Sequence, residues 1–396
     1  MTSVVGVICE YDPFHAGHAR QFSFIREKLP GAKIVCAMSG CFTQRGMPAL
    51  YSPAFRAKAA LMAGADLVLE LPTLFSVQHA EAFALGGVSL FHQLGFVTHL
   101  SFGCENENLL LLKSAAALLT QPDERFSALL KAQLDIGRSF AAAQGAALTA
   151  WHEAIEPSTP QAELASFFSA PNNILAICYL RALLRLGSPI QPLPVLRVGA
   201  YHAQSLESDA FPSATAVRAA LLSGSFVQAE AACGYPLPRS PMCLPTALDS
   251  VLLARLRQMS REALLCLPDC SEGLENLLLQ ASRDAVSRES LLSLLKSKRY
   301  TRARLSRLLC HALLGITHDL QKSHGTVPYA RLLGFRKESS SLLHALRRAE
   351  LPIIAKAARG PLSHPAYQLD QNVYDLWALG AEVPAGLMFR QPVQIV

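Results

Sequence analysis

The chain has 396 residues, of which 51% are hydrophobic and 17% charged, so it is long enough for two domains and too apolar for a disordered protein. A net charge of +6 is compatible with a nucleotide or nucleic-acid partner but does not require one. The ten cysteines form no C-x-x-C pair, which argues against a zinc site. Glu10 and Asp12 interrupt the first apolar run, which argues against a signal peptide. We therefore expect a soluble, cytoplasmic protein without a membrane span.

The first hundred residues alternate between strand-like and helix-like segments. Helices are predicted over residues 19–29, 53–63 and 80–94, and strands over 4–9, 32–38, 67–71 and 99–102. This alternation is typical of a parallel sheet with helices on both faces. Ligands bind such sheets at the carboxyl edge, where we expect His15, Ser39, Gly40, residues 70–72 and Gly103 to lie.

The remainder of the chain is predicted to be mostly helical, with a last strand over residues 195–198. We predict an N-terminal α/β domain over residues 1–230 that carries a helical insertion at about 105–170. A proline-rich linker follows over 231–248, and a mostly helical C-terminal domain over 249–396.

The most informative segment is the end of the first strand, which leads through Tyr11-Asp-Pro13 into the tetrad His15-Ala-Gly17-His18 and then a helix. The free N–H groups and the dipole of a helix N-terminus favour an anion. Two imidazoles three residues apart lie on one face of the first turn, and glycine allows close approach of a ligand. The segment predicts a site that stabilises charge on the α-phosphate of a nucleoside triphosphate. The alternative is a histidine pair that only caps the helix or lies on the surface by chance.

Two segments offer cations and hydroxyls to the same phosphates. The loop over residues 39–46 follows the second strand, and its Arg45 faces either a phosphate or solvent. Ser213 and Thr215 begin a predicted helix, where their hydroxyls either cap the helix or donate to a phosphate. Arg218, five residues after Ser213, is placed to neutralise a leaving pyrophosphate.

Asn172 and Asn173 open another predicted helix, where one amide is expected to cap the helix and the other to contact a base or ribose. Arg197 lies at the end of the last predicted strand and points toward the same sheet edge. It is expected to pair either with phosphate or with a structural carboxylate.

The densest charge cluster of the chain lies in the C-terminal part and holds six cations and no acid: Lys296, Lys298, Arg299, Arg302, Arg304 and Arg307. Tyr300 lies within it and is expected to be available for base stacking. The cluster predicts a footprint on a nucleic-acid backbone, and the alternative is a solvated helix face.

An ordered set of motifs spans nearly the whole chain. It comprises His15-x-Gly-His18, Ser39-Gly-x-Phe-x-Gln-Arg-Gly46, residues 64–72, Phe102-Gly-x-Glu105, Pro171-Asn-Asn-Ile-Leu175, Arg197 with Tyr201-His202, Ser213-Ala-Thr-Ala-x-Arg218, Lys298-Arg-Tyr-Thr-x-x-Arg304 and residues 329–335. Together these motifs resemble the bacterial tRNA(Met) cytidine acetate ligase family of the His-x-Gly-His nucleotidylyltransferase superfamily. The resemblance implies a Rossmann-like nucleotidylyltransferase parallel sheet in a catalytic N-terminal domain and an α-helical C-terminal domain that binds tRNA.

The resemblance also implies a reaction in which acetate attacks the α-phosphate of ATP to give acetyl-adenylate and pyrophosphate. The N4 of the wobble cytidine of elongator tRNA(Met) then takes the acetyl group. His15 and His18 would be the catalytic residues, and the cluster from Lys296 to Arg307 would bind the tRNA. Magnesium is compatible with the triphosphate charge, although no carboxylate pair in the sequence marks a site for it. No oligomeric state is implied.

The ATP-binding positions implied by the resemblance, together with the hydroxyls and Arg218 described above, are Ile8, Cys9, Glu10, Tyr11, Asp12, Pro13, Phe14, His15, Ala16, Gly17, His18, Ala19, Arg20, Gln21, Gly103, Asn172 or Asn173, Arg197, Ser213, Thr215 and Arg218. Asp12 and Ala16 depart from the family pattern, which usually has asparagine at both positions. Asp12 brings a negative charge near the phosphates unless an arginine bridges it.

Two other functions remain open from the sequence. A coenzyme-forming adenylyltransferase would share the histidine tetrad but would not need the basic C-terminal part. A non-catalytic RNA-binding protein would explain Asp12 and Ala16 as signs of a decayed ATP site.

Overall fold

The structure is a computed structural model that describes residues 2–197, 213–297 and 300–396. Within these residues, eight strands form one sheet in the order β5-β4-β1-β2-β3-β6-β7, with β8 also pairing with β6. The strands are β1 (Val4–Cys9), β2 (Lys33–Ser39), β3 (Leu67–Leu71), β4 (His99–Cys104), β5 (Gln191–Leu196), β6 (Ala330–Phe335), β7 (Ile353–Ile354) and β8 (Gln394–Ile395).

The helices of the first half are α1 (Ala16–Lys28), α2 (Pro53–Met62), α3 (Thr73–Ser76), α4 (Ala80–Leu94), α5 (Leu109–Thr120), α6 (Glu124–Asp135), α7 (Phe140–Ile155), α8 (Gln161–Ser169) and α9 (Pro171–Arg185). Those of the second half are α10 (Ala214–Leu222), α11 (Phe226–Cys233), α12 (Asp249–Gln258), α13 (Arg261–Leu265), α14 (Leu274–Asp284), α15 (Arg288–Leu295), α16 (Arg302–Leu314), α17 (His318–Lys322), α18 (Ser340–Leu346), α19 (Pro365–Gly380) and α20 (Leu387–Arg390).

The first five strands are parallel neighbours and confirm the predicted α/β sheet. Apolar runs buried on both faces form the inner strands, and β3 is buried at every position. The edge strand β5 is mostly half-buried or exposed. The chain passes from β1 to β2 and β3 on one side and returns to β4 and β5 on the other. A switch point therefore lies between β1 and β4, where a crevice opens at the carboxyl edge.

The C-terminal part, which the sequence predicts to be a mostly helical domain, also supplies β6, β7 and β8 to the N-terminal sheet. Strand β6 runs antiparallel to β3, whereas β7 and β8 each pair with β6 in parallel. β7 and β8 have only two residues each, too few to show a period in the sequence. The strand predicted at residues 195–198 begins earlier, at Gln191. Val198 lies outside the described residues.

The proline-rich segment predicted as a linker over 231–248 is packed against the rest of the protein. The Cys243 side chain is fully buried, and its N–H donates to the Leu50 carbonyl at 2.9 Å. The Tyr51 hydroxyl donates to the Pro238 carbonyl at 3.0 Å. These bonds join the segment to the chain between β2 and α2, so it is packed onto the folded protein although most of its residues stay exposed or half-buried.

A buried polar network joins β3 to the C-terminal part. The Arg331 guanidinium in β6 donates to the Glu70 carboxylate at 2.6 Å, and the Tyr374 hydroxyl donates to the same carboxylate at 2.8 Å. Both members of the ion pair are almost fully buried. Glu70, predicted at the ligand edge, is therefore committed to holding β3 against β6 and α19.

No single helix among the described residues is long and apolar enough to cross a membrane. Helices α8 and α9 reach the required length and hydropathy only as a pair, and the pair bends by 73°.

Replacing Arg331 with methionine is expected to lower the free energy of unfolding by about 3–5 kcal/mol, because the Glu70 carboxylate is then buried without its partner. The double variant Glu70→Gln/Arg331→Met removes both charges and is expected to lose less. Urea unfolding of the two variants measures the difference. Equal losses would show that the charge pairing is not what stabilises this junction.

Candidate nucleotide-binding site

Three adjoining parallel strands end at one edge of the sheet, in the order β5, β4 and β1. Strand β1 is followed by Glu10 and the turn that leads to His15, the end of β4 holds Gly103, and β5 is followed by Arg197. Segments that are far apart in sequence thus meet at the switch point, as expected for a ligand site in an open sheet.

The two histidines form a capping box at the N-terminus of α1. His15 is the N-cap, and its Nδ1 accepts the Gly17 N–H at 3.1 Å. The His15 N–H donates in return to Nδ1 of His18 at 3.2 Å. The imidazole rings lie 3.8 Å apart at an angle of 30°. The histidine pair therefore does cap the helix, as the alternative in the sequence analysis stated. Capping uses only Nδ1 of each ring, so it does not use Nε2.

Both imidazoles are neutral at physiological pH. Burial, followed by the positive charges of Arg197 and Arg218, lowers the pKa of His15 to about 3. Burial, the neighbouring His15 and then Arg197 lower the pKa of His18. Because each Nδ1 accepts a backbone N–H, the single proton of each neutral ring is on Nε2. The pair can therefore offer two N–H donors to an anion without carrying charge.

Asp12 is paired with Arg218. The buried Asp12 carboxylate accepts the Leu50 N–H at 2.8 Å, and its other oxygen lies 3.8 Å from Nη1 of Arg218. Nη1 also donates to the Asp12 carbonyl at 2.8 Å. The departure at Asp12 therefore has the arginine bridge that it requires, and its charge is balanced. Arg218 remains 30% exposed, so part of its guanidinium faces solvent.

The hydroxyls near Arg218 have different partners. Ser213 is the N-cap of α10, and its hydroxyl accepts the Ala216 N–H at 3.1 Å, which is the capping alternative of the sequence analysis. The Thr215 hydroxyl accepts from Nη2 of Arg218 at 3.2 Å and stays exposed. Thr215 thus orients the guanidinium.

The two asparagines of α9 have separate roles. Asn173 is fully buried; its side-chain oxygen accepts the Glu105 N–H at 3.0 Å, and its amide donates to the Phe167 carbonyl at 3.1 Å. Asn172 is half-buried and meets Nη1 of Arg197 at 3.4 Å. Of the two, Asn172 is the one with access to the sheet edge.

Glu105, which the sequence analysis quoted but did not place in the site, holds this corner together. Its carboxylate accepts the backbone N–H groups of Asn172 and Asn173 at 3.1 and 2.9 Å and the Asn172 amide at 2.6 Å. Gly103 lies beside it, and a Cβ there would come within 3.1 Å of the Arg197 side chain. Gly103, Asn172 and Arg197 are therefore brought together as predicted.

Several other residues of the segment from Ile8 to Gln21 pack against the histidine pair or join the segment to neighbouring strands and loops. The rings of Tyr11 and Phe14 are buried and lie 4.8 and 5.4 Å from the His18 ring. Gln21 donates to the Ser101 hydroxyl of β4 at 3.1 Å. Glu10 is half-buried and accepts the Gln44 N–H at 2.5 Å, and burial raises the pKa of its carboxyl.

Sequence reasoning missed Arg56, a fully buried guanidinium of α2. It donates to the carbonyls of Glu10 and Gly40, and its Nε donates to the Tyr51 carbonyl at 3.0 Å. Arg56 thus joins the chain where it leaves β1 to the chain where it leaves β2. Since all three acceptors are backbone oxygens, no partner side chain in the sequence could have indicated this role.

The loop over residues 39–46 contacts α16. The Ser306 hydroxyl donates to the Arg45 carbonyl at 2.6 Å. Gly46 has a positive φ of 73°, and a Cβ there would lie 2.8 Å from the Ser306 carbonyl. The Arg45 side chain is exposed. The helix with the basic cluster therefore lies directly against the carboxyl edge of the sheet.

The basic cluster is less uniform than its sequence indicates. Lys296 is exposed, whereas Lys298 and Arg299 lie outside the described residues. Arg302 forms an ion pair with Glu289 of α15, and Arg304 donates to the Asp269 carbonyl at 3.0 Å. Burial lowers the pKa of Arg307, while the negative charge of Asp269 raises it. Carboxylates from other segments, Glu289 and Asp269, therefore lie near the cluster. The sequence of the cluster itself could not show these neighbours.

Tyr300 corrects one prediction. Its side chain is buried, with 7% exposure, and the Arg304 guanidinium lies 5.1 Å from the ring centroid. A covered ring of this kind supports Arg304, so the expectation that Tyr300 is available for base stacking is wrong for this structure.

A mostly parallel sheet with a helix N-terminus directly after its first strand is the architecture of an α/β nucleotide-binding protein. Comparison with known proteins gives a narrower class. The chain matches the family described as HIGH Nucleotidyl Transferase over residues 2–386. It is 34% identical over 383 residues to a tRNA(Met) cytidine acetate ligase of Clostridium perfringens, with 94% of each chain covered. It is 32% identical to one of Acetivibrio thermocellus, with 99% of this chain and 100% of the relative covered.

Solved structures give the same result. The fold is similar to Thermotoga maritima TmcAL bound with alpha-thio ATP, with a TM-score of 0.88, 26% sequence identity, and coverage of 100% of this chain and 99% of that one. The apo form of the same protein has a TM-score of 0.89. The chain belongs to the tRNA(Met) cytidine acetate ligase family of HIGH nucleotidyl transferases.

The shielding of His15 predicts how stability depends on pH. In the unfolded chain a histidine binds a proton below pH ~6.5, whereas folded His15 does so only near pH 3, so the free energy of unfolding falls as the pH drops between these values. The titration of His15 alone is expected to lower the free energy of unfolding by about 2 kcal/mol between pH 7 and pH 5. The variant His15→Asn keeps a capping side chain but is expected to lose this part of the pH dependence.

Urea unfolding at pH 7 and pH 5 measures both proteins. The difference between the two curves reports the loss of His15, including its effect on the pKa of the neighbouring His18. Parallel curves would show that the His15 imidazole is not shielded from protonation.

Proposed function

We propose that the protein is an ATP-dependent ligase that acetylates N4 of the wobble cytidine of elongator tRNA(Met). The observation that carries the proposal is the histidine pair, two neutral Nε2–H donors at a helix N-terminus flanked by Arg197 and Arg218. The relatives described as tRNA(Met) cytidine acetate ligases supply the substrate class. Because tRNA is its proposed substrate, we also propose that the enzyme acts in the cytoplasm.

In the first step, an acetate oxygen attacks the α-phosphorus of ATP, the bond from that phosphorus to the bridging oxygen breaks, and pyrophosphate leaves. The Nε2–H groups of His15 and His18 donate to oxygens whose charge grows in the transition state. Neutral donors already held by the capping box need no reorganisation at that moment. Arg197 and Arg218 offset the charge of the triphosphate and of the leaving pyrophosphate.

In the second step, N4 of the cytidine attacks the acetyl carbon of acetyl-adenylate. AMP leaves, and N4 loses a proton as N4-acetylcytidine forms. Asn172, held by Glu105 next to Arg197, is the residue we assign to the base or ribose of the nucleotide. Asn173 is assigned a structural role because both ends of its amide are used inside the protein.

Magnesium is the usual companion of a triphosphate, and the candidate carboxylates at this edge are Glu10 and Asp12. Glu10 accepts the Gln44 N–H, and Asp12 is bound to Arg218 and the Leu50 N–H. Groups with these partners do not fit a dedicated metal site, so the steps above do not depend on one.

The C-terminal part is proposed to hold the tRNA. Its support is that α16, which carries Arg302, Arg304 and Arg307, lies against the loop over residues 39–46 at the carboxyl edge of the sheet. A phosphate backbone bound along these cations is thereby close to the nucleotide site.

The first test is acetate-dependent exchange of pyrophosphate into ATP, followed by acetyl transfer to tRNA. His18→Ala is expected to lower the exchange rate by roughly 10²–10³, because a donor to the transition state is lost. His344→Ala removes an exposed imidazole from α18 and serves as the matched control. A near-normal rate in His18→Ala would refute the role of the pair.

The wild-type result also separates the remaining functions. Exchange without transfer to tRNA would indicate a different acceptor, as in a coenzyme-forming adenylyltransferase. Binding of tRNA with neither activity would indicate a non-catalytic RNA-binding protein.

Neutralising the basic cluster with Arg299→Ala and Arg302→Ala is expected to weaken tRNA binding and to reduce the slope of log affinity against log salt by about 1 for each lost phosphate contact. Pyrophosphate exchange is expected to be unaffected, because that step does not require bound tRNA. Titrations at several salt concentrations measure the slope. An equal loss of exchange and binding would show that these arginines support the fold.

A further inference from the structure

A cavity of about 640 Å³ lies apart from the histidine pair, between the N-terminal and C-terminal halves of the chain. Its walls come from α3 and α4 on one side and from α13, α16 and α17 on the other. The volume is within the range of about 300–1,000 Å³ that is usual for small-molecule sites, which often form where parts of a protein meet. Nothing in the reaction described above uses this cavity.

The charges at the cavity favour an anion. Its lining includes three cations and one acid: Arg185, Arg304, Lys322 and Asp269. Arg185 forms an ion pair with Glu81 at 3.0 Å, so it adds little positive charge to the cavity. Lys322, in the last turn of α17, is exposed. Arg304 reaches the cavity from α16 and keeps its positive charge, because its partner there is the Asp269 carbonyl and not a carboxylate. Together with the exposed imidazole of His318, these groups give a rim that suits a phosphate.

The interior of the cavity suits a flat ring with polar edges. Leu74, Phe75 and Leu267 supply an apolar surface. The side-chain amides of Gln78 and Gln321 meet in the lining, with Nε2 of Gln321 donating to Oε1 of Gln78 at 2.5 Å. Gln78 is itself committed, because its Nε2 donates to the Leu74 carbonyl at 2.9 Å, so its role is to fix the amide of Gln321. An apolar floor can stack a nucleobase, and the fixed Gln321 amide can accept from the edge of that base through its Oε1.

We propose that this cavity binds one unstacked nucleotide of the RNA substrate, with the base inside and the phosphate at Lys322 and Arg304. The proposal rests on the proposed function. Continuity with the basic cluster selects RNA, because Arg304 belongs both to that cluster and to the cavity lining. Proteins that recognise RNA by sequence commonly take splayed bases from loops into pockets of this kind.

The test uses the full-length protein and the variant Gln321→Ala/Lys322→Ala, which changes two positions on the short helix α17. Binding of the anticodon stem-loop of the tRNA is followed by fluorescence anisotropy and is expected to weaken about tenfold or more, since one base–pocket contact and one phosphate contact are lost. Binding of a fully paired RNA of equal length is expected to change less, because it has no base to insert. Lys131→Ala, which removes an exposed lysine of α6, is the matched control and is expected to bind both RNAs normally.

Each outcome is assigned in advance. Normal stem-loop binding by the double variant overturns the proposal, even if the wild-type protein makes N4-acetylcytidine. Tight binding of free CMP or AMP that the double variant loses, with RNA binding intact, identifies a mononucleotide site and also overturns it. Failure of the wild-type protein in both pyrophosphate exchange and acetyl transfer contradicts the proposed function instead. Acetyl transfer by the double variant that recovers at high RNA concentration, with unchanged pyrophosphate exchange, supports a role in binding.

Discussion

The position of the histidine pair depends on the buried guanidinium of Arg56. A buried charge is costly unless every donor finds an acceptor, and Arg56 finds carbonyls where the chain leaves β1 and β2 and at Tyr51. The segment from Glu10 to His15 must therefore leave the sheet along one path, which the cap of α1 then continues. Substrate-binding groups that are fixed before the substrate arrives do not need to be ordered during the reaction. We regard Arg56 as the constraint that makes the capping box a preformed anion site.

Each of the two arginines of the site has an acidic residue nearby, Asp12 beside Arg218 and Glu105 beside the Asn172 that contacts Arg197. The Asp12 carboxylate would repel a triphosphate on its own, but it is bound to Arg218, and that arginine still exposes part of its guanidinium. At the other corner Glu105 binds the N-terminus of α9 and orients Asn172 toward Arg197. The departure of Asp12 from the family pattern is thus accommodated by a partner 206 positions further along the chain. It does not by itself indicate a decayed site.

The sequence was sufficient for the features that arise from local pattern. The strands β1 and β3 start and end where the sequence predicts, and the helix cap at Ser213 follows from residue type. Helix α1 begins at Ala16, three residues before the predicted start, because His15 acts as its cap. Features that depend on distant partners could not be predicted in this way. Strand β6 is attached through Arg331 and Glu70, 261 positions apart, and the acid near Arg302 comes from another helix. The burial of Tyr300 has the same origin in part, because its ring belongs to a core cluster built from residues far away in the sequence, although Arg304 is only four positions away.

The contact between Gly46 and α16 has a mechanical consequence. The backbone of the loop touches the helix so closely that not even a methyl group fits, and the Ser306 hydroxyl ties the two together. Close-packed surfaces of this kind transmit displacement and do not absorb it. A shift of α16 on the scale of an ångström must therefore carry the loop with it, so that the helix we propose to grip a large polymer moves as one body with the sheet edge we propose for a small anion.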